Sequence, residues 1–284
     1  MTFLKAMHVP ILTNTQMQII KNTLEKQKSV QNIEMSLDLG LSISKITINP
    51  LEKTVSFGTN TIKFPISFDE TKEICYAVMD NQIFPMESFD KNTGFYYKLV
   101  PGTTKPYLII SSTRMHKEPF HHYLEKQQIR GKVLDAGTGL GYTAIIASKT
   151  AEHVITVEID PNVLYYASFN PHSLALFENK NIEIIEGDIT EIIKTFPDHY
   201  FDCLIQDGGT VRNSGTFFSQ AQAFELARVL KPNCKLFFYL PNPQANKGRD
   251  FAAEQIARLK NAGFSLGLRD ESGSYCAFIN KKSN

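Results

Sequence analysis

The stretch VLDAGTGLGYTAI, Val133 to Ile145, runs from an apolar strand-forming segment through three alternating glycines, Gly137, Gly139 and Gly141, into residues that favour a helix. A strand that turns on glycines into a helix is the opening of a doubly wound α/β sheet. Outward from it, apolar runs recur with helical patterns between most of them. Strands are expected at Lys132–Asp135, Val154–Glu158, Ile182–Glu186, Phe201–Gln206, Lys235–Leu240, Phe264–Leu268 and Tyr275–Ile279. Apolar strands separated by helices form a parallel sheet with right-handed crossovers. The last two strands, joined by RDESGS, are close enough to pair as an antiparallel hairpin at one edge.

Before this region the texture differs. Thr13 to Thr15 can cap a helix through about Lys28, with Met17, Ile19, Ile20 and Leu24 at helical spacing. From Ile33 to about Ile110 short β-type runs (SISKITI, KTVSFG, TIKFPI, GFYYKLV, YLIISS) are punctuated by Asn49-Pro50, Gly58, Asp80-Asn81 and Pro101-Gly102. A second helix is expected from Pro119 to about Gln128. The expected organisation is a helical appendage over 1–32, a small antiparallel β domain over 33–112 that acts as a lid, and a seven-stranded α/β domain over 113–284.

Composition narrows the function classes. The chain has 284 residues, and 30 basic against 29 acidic side chains give a net charge of +1. There is no global field to draw it onto phosphate backbones or anionic membranes. Runs such as KLFFYL are too short to span a bilayer, and His8 and Pro10 interrupt the first apolar stretch, so a cytoplasmic location is expected. Cys75, Cys203, Cys234 and Cys276 are scattered, which suits buried thiols rather than a disulfide framework or zinc site. His121 and His122 fall on different faces of one helix, and His116 has no companion at ligand spacing, so no metal is expected.

The glycine spacing is G-x-G-x-G, not the G-x-G-x-x-G of pyrophosphate loops. Asp135 sharpens the reading: a carboxylate there would repel a pyrophosphate but attract a ligand carrying an ammonium and a sulfonium, as S-adenosylmethionine does. Glu158 ends the next strand about twenty residues beyond the glycines, where a carboxylate can accept from ribose hydroxyls. Asp188 ends the third strand, placed to accept from an adenine amino group. Taken singly, Glu158 or Asp188 could equally cap the helix that follows.

VLDAGTGLG, VEIDPN, EGD, CLIQDGG and ARVLKPNCKLFFY resemble, in order, the successive motifs of class I S-adenosylmethionine-dependent methyltransferases, with their Rossmann-like sheet, over roughly Pro119 to Ile279. FYYKLVPGTTKPYLIISSTRMHK further resembles an archaeal-type family of predicted methyltransferases, whose proline pair after the strand-end aspartate is replaced here by Gly208-Gly209. The β domain in front of the sheet also looks like the arrangement of spermidine synthase, an aminopropyltransferase that uses decarboxylated S-adenosylmethionine.

The resemblance implies that the glycine loop with Thr138 holds the cofactor and that Ile159 and Ile189, beside the strand-end acids, contact it. Asp207 is the candidate catalytic residue, for acceptor contact or proton removal, and also lies at the cofactor. Arg114, in SSTRMHK, is the candidate for the methionine carboxylate, which the decarboxylated cofactor lacks; pairing with Glu118 is the alternative for it. The expected acceptor is a small molecule or a side chain. Nucleic acid is not supported by the charge, and a homodimer is compatible with the sequence.

Overall fold

The computed structural model describes residues 5–65, 68–115, 118–208, 216–240, 250–269 and 275–280. His116, the Gly209–Thr210 part of the strand-end loop and the RDESGS connection beyond Arg269 lie outside the described residues. The chain divides into two compact units, one of residues 1–116 with 165–177, the other of 117–164 with 178–284.

The front unit is built from antiparallel sheets. A four-stranded meander runs through Gln31–Met35, Ser44–Asn49, Thr54–Phe57 and Asn60–Lys63. Ile11–Thr13, Cys75–Met79 and Gln82–Pro85 form a second sheet, and Glu87–Asp90, Phe95–Val100, Tyr107–Ile110 and Thr113–Arg114 a third. Asp80 and Asn81, both at positive φ (52° and 58°), make the two-residue turn of the hairpin in the second sheet. That mirror-image turn matches the twist of the strands it joins, and Asn and Asp tolerate it best after glycine.

The helix Asn14–Lys26 starts on a reciprocal cap between Thr13 and Gln16. Its Met17 and Ile20 share one core with Ile46, Ile48, Val55 and Phe57 of the meander. In the third sheet Tyr97 is fully buried, whereas Tyr96, on the other face, donates its hydroxyl to Glu87.

The second unit is a seven-stranded sheet. Its strands are β1 (Lys132–Ala136), β2 (His153–Glu158), β3 (Ile182–Glu186), β4 (Phe201–Gln206), β5 (Leu230–Tyr239), β6 (Phe264–Arg269) and β7 (Tyr275–Asn280). The spatial order is β3-β2-β1-β4-β5-β7-β6. The first five are parallel, and β7 pairs antiparallel with both β5 and β6. The order reverses at β1, and sheets of this kind take their ligands beyond the carboxyl ends of the strands at that point, here β1 and β4.

The apolar runs become strands because both faces are covered. Leu134, Ala136, Ile155, Val157, Leu204, Leu236 and Phe238 pack on one face against the helices Gln220–Val229 and Phe251–Asn261. Two element limits differ most from the sequence reading. β5 begins at Leu230 rather than Lys235, and the helix expected to reach Gln128 spans Glu118–Glu125. Among the described residues, no helix is long and apolar enough to cross a membrane.

Candidate functional site

At the switch point the backbone alone explains two glycines. A Cβ on Gly137 (φ +95°) would lie 2.7 Å from Gly208 Cα, and one on Gly208 would lie 2.7 Å from the Phe217 ring and 3.0 Å from the Ala136 carbonyl oxygen. The ends of β1 and β4 therefore touch backbone to backbone, and any side chain at either point would part them. The loop then turns over β2, with the amides of Gly137 and Thr138 both donating to the Val157 carbonyl at 3.1 Å. Gly141 opens the helix Tyr142–Ser148.

Glu158, at the end of β2, is buried and holds the loop directly. Its Oε2 accepts from the Gly139 amide at 2.9 Å and its Oε1 from the Asp160 amide at 3.1 Å. Burial is the largest influence on its carboxyl and lifts it to about 7, against the lowering effect of those amides. Asp135 is fully buried beneath the loop. Its Oδ2 accepts from the hydroxyls of Thr143 at 3.0 Å and Thr156 at 2.8 Å, while its Oδ1 has no hydrogen-bond partner. Desolvation pushes this carboxyl up to about 7; the threonine hydroxyls oppose that, and the Glu158 charge adds to it.

The remaining residues singled out in the sequence divide by environment. Asp188 caps the short helix Ile189–Ile192, its Oδ1 accepting from the Thr190 amide and hydroxyl, both at 2.8 Å. Ile189 is buried in the core, whereas Ile159 is 63% exposed beside Glu158. Asp207 follows β4 and is partly buried. Tyr239 stands at the corresponding end of β5, and burial together with the Asp207 charge raises its phenol. Arg114 belongs to the front unit, where its guanidinium lies 3.8 Å from the centre of the Tyr107 ring.

His121 is buried with its ring edge-on to Tyr142, and His122 is exposed beside Glu125. No cluster of three or more metal-ligating side chains occurs among the described residues. Cys75 and Cys203 are buried, with thiols pushed far up by desolvation, and Cys234 is half-buried.

Thr143 and Thr156, which bond Asp135, and Tyr239, which feels the Asp207 charge, stand beside the candidate residues and were not singled out in the sequence. The signal for Thr156 was a hydroxyl inside the otherwise apolar run VITV, since a buried hydroxyl needs a partner. The β1–β2 register pairs it with Asp135.

A family model described as a methyltransferase domain matches residues 129–267. Over 263 residues the chain is 36% identical to the uncharacterized protein MJ1233 of Methanocaldococcus jannaschii, covering 87% of this chain and 88% of that relative. Among solved structures, a spermidine synthase in complex with the transition state analogue AdoDATO superposes with a TM-score of 0.57 at 17% identity, over 75% of this chain and 78% of that one. The spermidine synthase from Thermotoga maritima gives 0.54 at 17%, over 71% and 75%. At that identity the two structures establish a shared fold alone. With the sheet order, the glycine loop and the strand-end acids in place, the chain belongs to the class I S-adenosylmethionine-dependent methyltransferases, in the family of the Methanocaldococcus jannaschii protein.

Proposed function

We propose that this protein transfers the methyl group of S-adenosylmethionine to a small molecule or a side chain. The observation that carries the reading is the pairing of two buried carboxylates with the glycine loop: Glu158 fastened to the Gly139 amide, and Asp135 below it with an unpartnered oxygen. Buried acids of this kind suit a cationic ligand and disfavour a pyrophosphate. Glu158, with one amide on each oxygen, keeps lone pairs for ribose hydroxyls. Ile159 offers an exposed apolar surface for a base, and Asp188 retains the oxygen that its helix cap does not use.

When bound, S-adenosylmethionine supplies a carbon already activated by the sulfonium. The protein then contributes orientation, exclusion of water and a proton acceptor. Asp207 is the residue for the last role: its carboxylate would take the proton that the acceptor's nucleophile loses when it bonds to the methyl carbon, the carbon–sulfur bond breaking to release the neutral thioether. The balanced net charge argues against a nucleic-acid acceptor.

A second reading, aminopropyl transfer from decarboxylated S-adenosylmethionine, draws on the likeness to spermidine synthase over 75% of the chain. Titration calorimetry with both cofactors, followed by mass spectrometry of extracts incubated with labelled S-adenosylmethionine, separates the two. Methyl transfer requires tighter binding of S-adenosylmethionine and a product heavier by one methyl. Preference for the decarboxylated form would move the assignment to polyamine chemistry. Asp135→Asn and Glu158→Ala should each weaken binding by about 1 to 3 kcal/mol while the chain stays folded. Unchanged affinity in both variants would remove these residues from the site.

A further inference from the structure

The hydroxyls around Asp135 form a chain with a direction. An ionised carboxylate only accepts, so Thr143 and Thr156 must both donate to its Oδ2. A threonine has one hydroxyl proton, and that of Thr156 is thereby committed. The 2.8 Å bond between Thr156 and Thr138 must then be donated by Thr138. The order is Thr138 to Thr156 to Asp135. It ends in the glycine loop at one side and on a fully buried carboxylate at the other. Thr138 is left with lone pairs only, a negatively polarised oxygen in the middle of the loop. A protonated Asp135 could donate instead, and the chain would run the other way.

We infer that Thr156 is a positioning residue for the cofactor: it orients the Thr138 hydroxyl and passes the charge of Asp135 to the glycine loop. This rests on the reading of the loop as the S-adenosylmethionine site. It explains how an acid with no exposed surface can act at the loop above it. It also gives a role to a hydroxyl that a merely apolar strand would not need. Valine keeps the shape of Thr156 and removes the chain; serine keeps the chain. Because burial holds Asp135 near 7, the direction of the chain is set within the ordinary working range of pH.

The titratable groups coupled to Asp135 are Glu158 at the end of β2, which itself feels Asp160, and Cys203 on β4. Asp135→Asn isolates the part of any pH profile that belongs to Asp135.

The test is calorimetric binding of S-adenosylmethionine to the full chain between pH 6 and pH 8.5. Thr156→Val should bind about tenfold more weakly at the upper end, the size of one hydrogen bond to a charged group. The inflection of its affinity against pH should move upward, because the carboxylate has lost a donor. Thr156→Ser should restore both. On the Asp135→Asn background, Thr156→Val should cost less than about threefold more, since the two act as one unit. Unchanged affinity and profile in Thr156→Val, or a full tenfold loss on the Asp135→Asn background, would overturn the relay. Should Thr156→Val fail to fold by thermal melting, Thr138→Val against Thr138→Ser repeats the cycle from the loop end. Wild type that binds S-adenosylmethionine without these effects overturns the relay alone. Wild type that does not bind it overturns the site with it.

Discussion

Burial that lifts Asp135 and Glu158 to about 7 has a consequence for the ligand-free protein. Each carboxyl binds its proton more tightly folded than unfolded. Their contribution to stability is therefore complete below the ordinary carboxylate range and is lost as pH rises from about 4 through about 7. Urea unfolding of the cofactor-free chain should give a midpoint that falls between pH 5 and pH 8, and Asp135→Asn should make that fall shallower. A midpoint that rises over the interval would mean that these acids are solvated or paired with cations. At this scale the position of the acids at strand ends was legible in the sequence, because each closes or follows an apolar run. Thr143 and Thr156 were not, since a threonine in a strand or helix reads as an ordinary residue until register sets it beside a carboxylate.

Elements were legible where burial is two-sided. The apolar runs of β1, β2 and β4 match their strands to within one residue because a parallel strand covered on both faces has no polar alternation to blur its limits. The start of β5 was not, because Lys231, Pro232 and Asn233 read as a turn. The contact between Gly137 and Gly208 was also hidden, since it joins two glycines far apart in sequence. That contact makes a specific demand. In Gly208→Ala the new methyl meets the Phe217 ring and the Ala136 carbonyl, so the end of β4 must move away from the glycine loop. Overpacking of this kind costs about 1 to 3 kcal/mol. The expected outcome is lower stability together with weaker S-adenosylmethionine binding. A variant that melts and binds as wild type would show that the strand ends part without cost.

Across the whole molecule, the sequence order of the units is not their spatial grouping. The sequence reading kept everything after 113 in one domain, yet residues 165–177 belong to the front unit. The clue was the helix Pro161–Phe169, where Val163, Leu164, Tyr166, Ala167 and Phe169 are all buried. A helix apolar on most sides is covered on most sides. Within the front unit Tyr166 is 1% exposed, stacks on Tyr97 with ring centroids 6.0 Å apart and donates to the Ser88 hydroxyl at 2.9 Å. The Ser168 carbonyl accepts from the Met7 amide at 2.8 Å, and the His172 ring is 3.1 Å from the Leu39 carbonyl.

A chain cut to residues 118–284 keeps this segment and loses the front-unit residues it packs on, Tyr97 and Ser88 among them. Burying a ring of this size is worth about 1.5 to 3 kcal/mol, which the fragment forfeits while presenting the ring to water. The fragment should therefore bind a hydrophobic dye, melt well below the full chain and self-associate. Tyr166→Gln should lessen the dye binding of the fragment, although it destabilises the full chain. A fragment that melts with the full chain and binds no dye would mean that 165–177 fold independently of the front sheets.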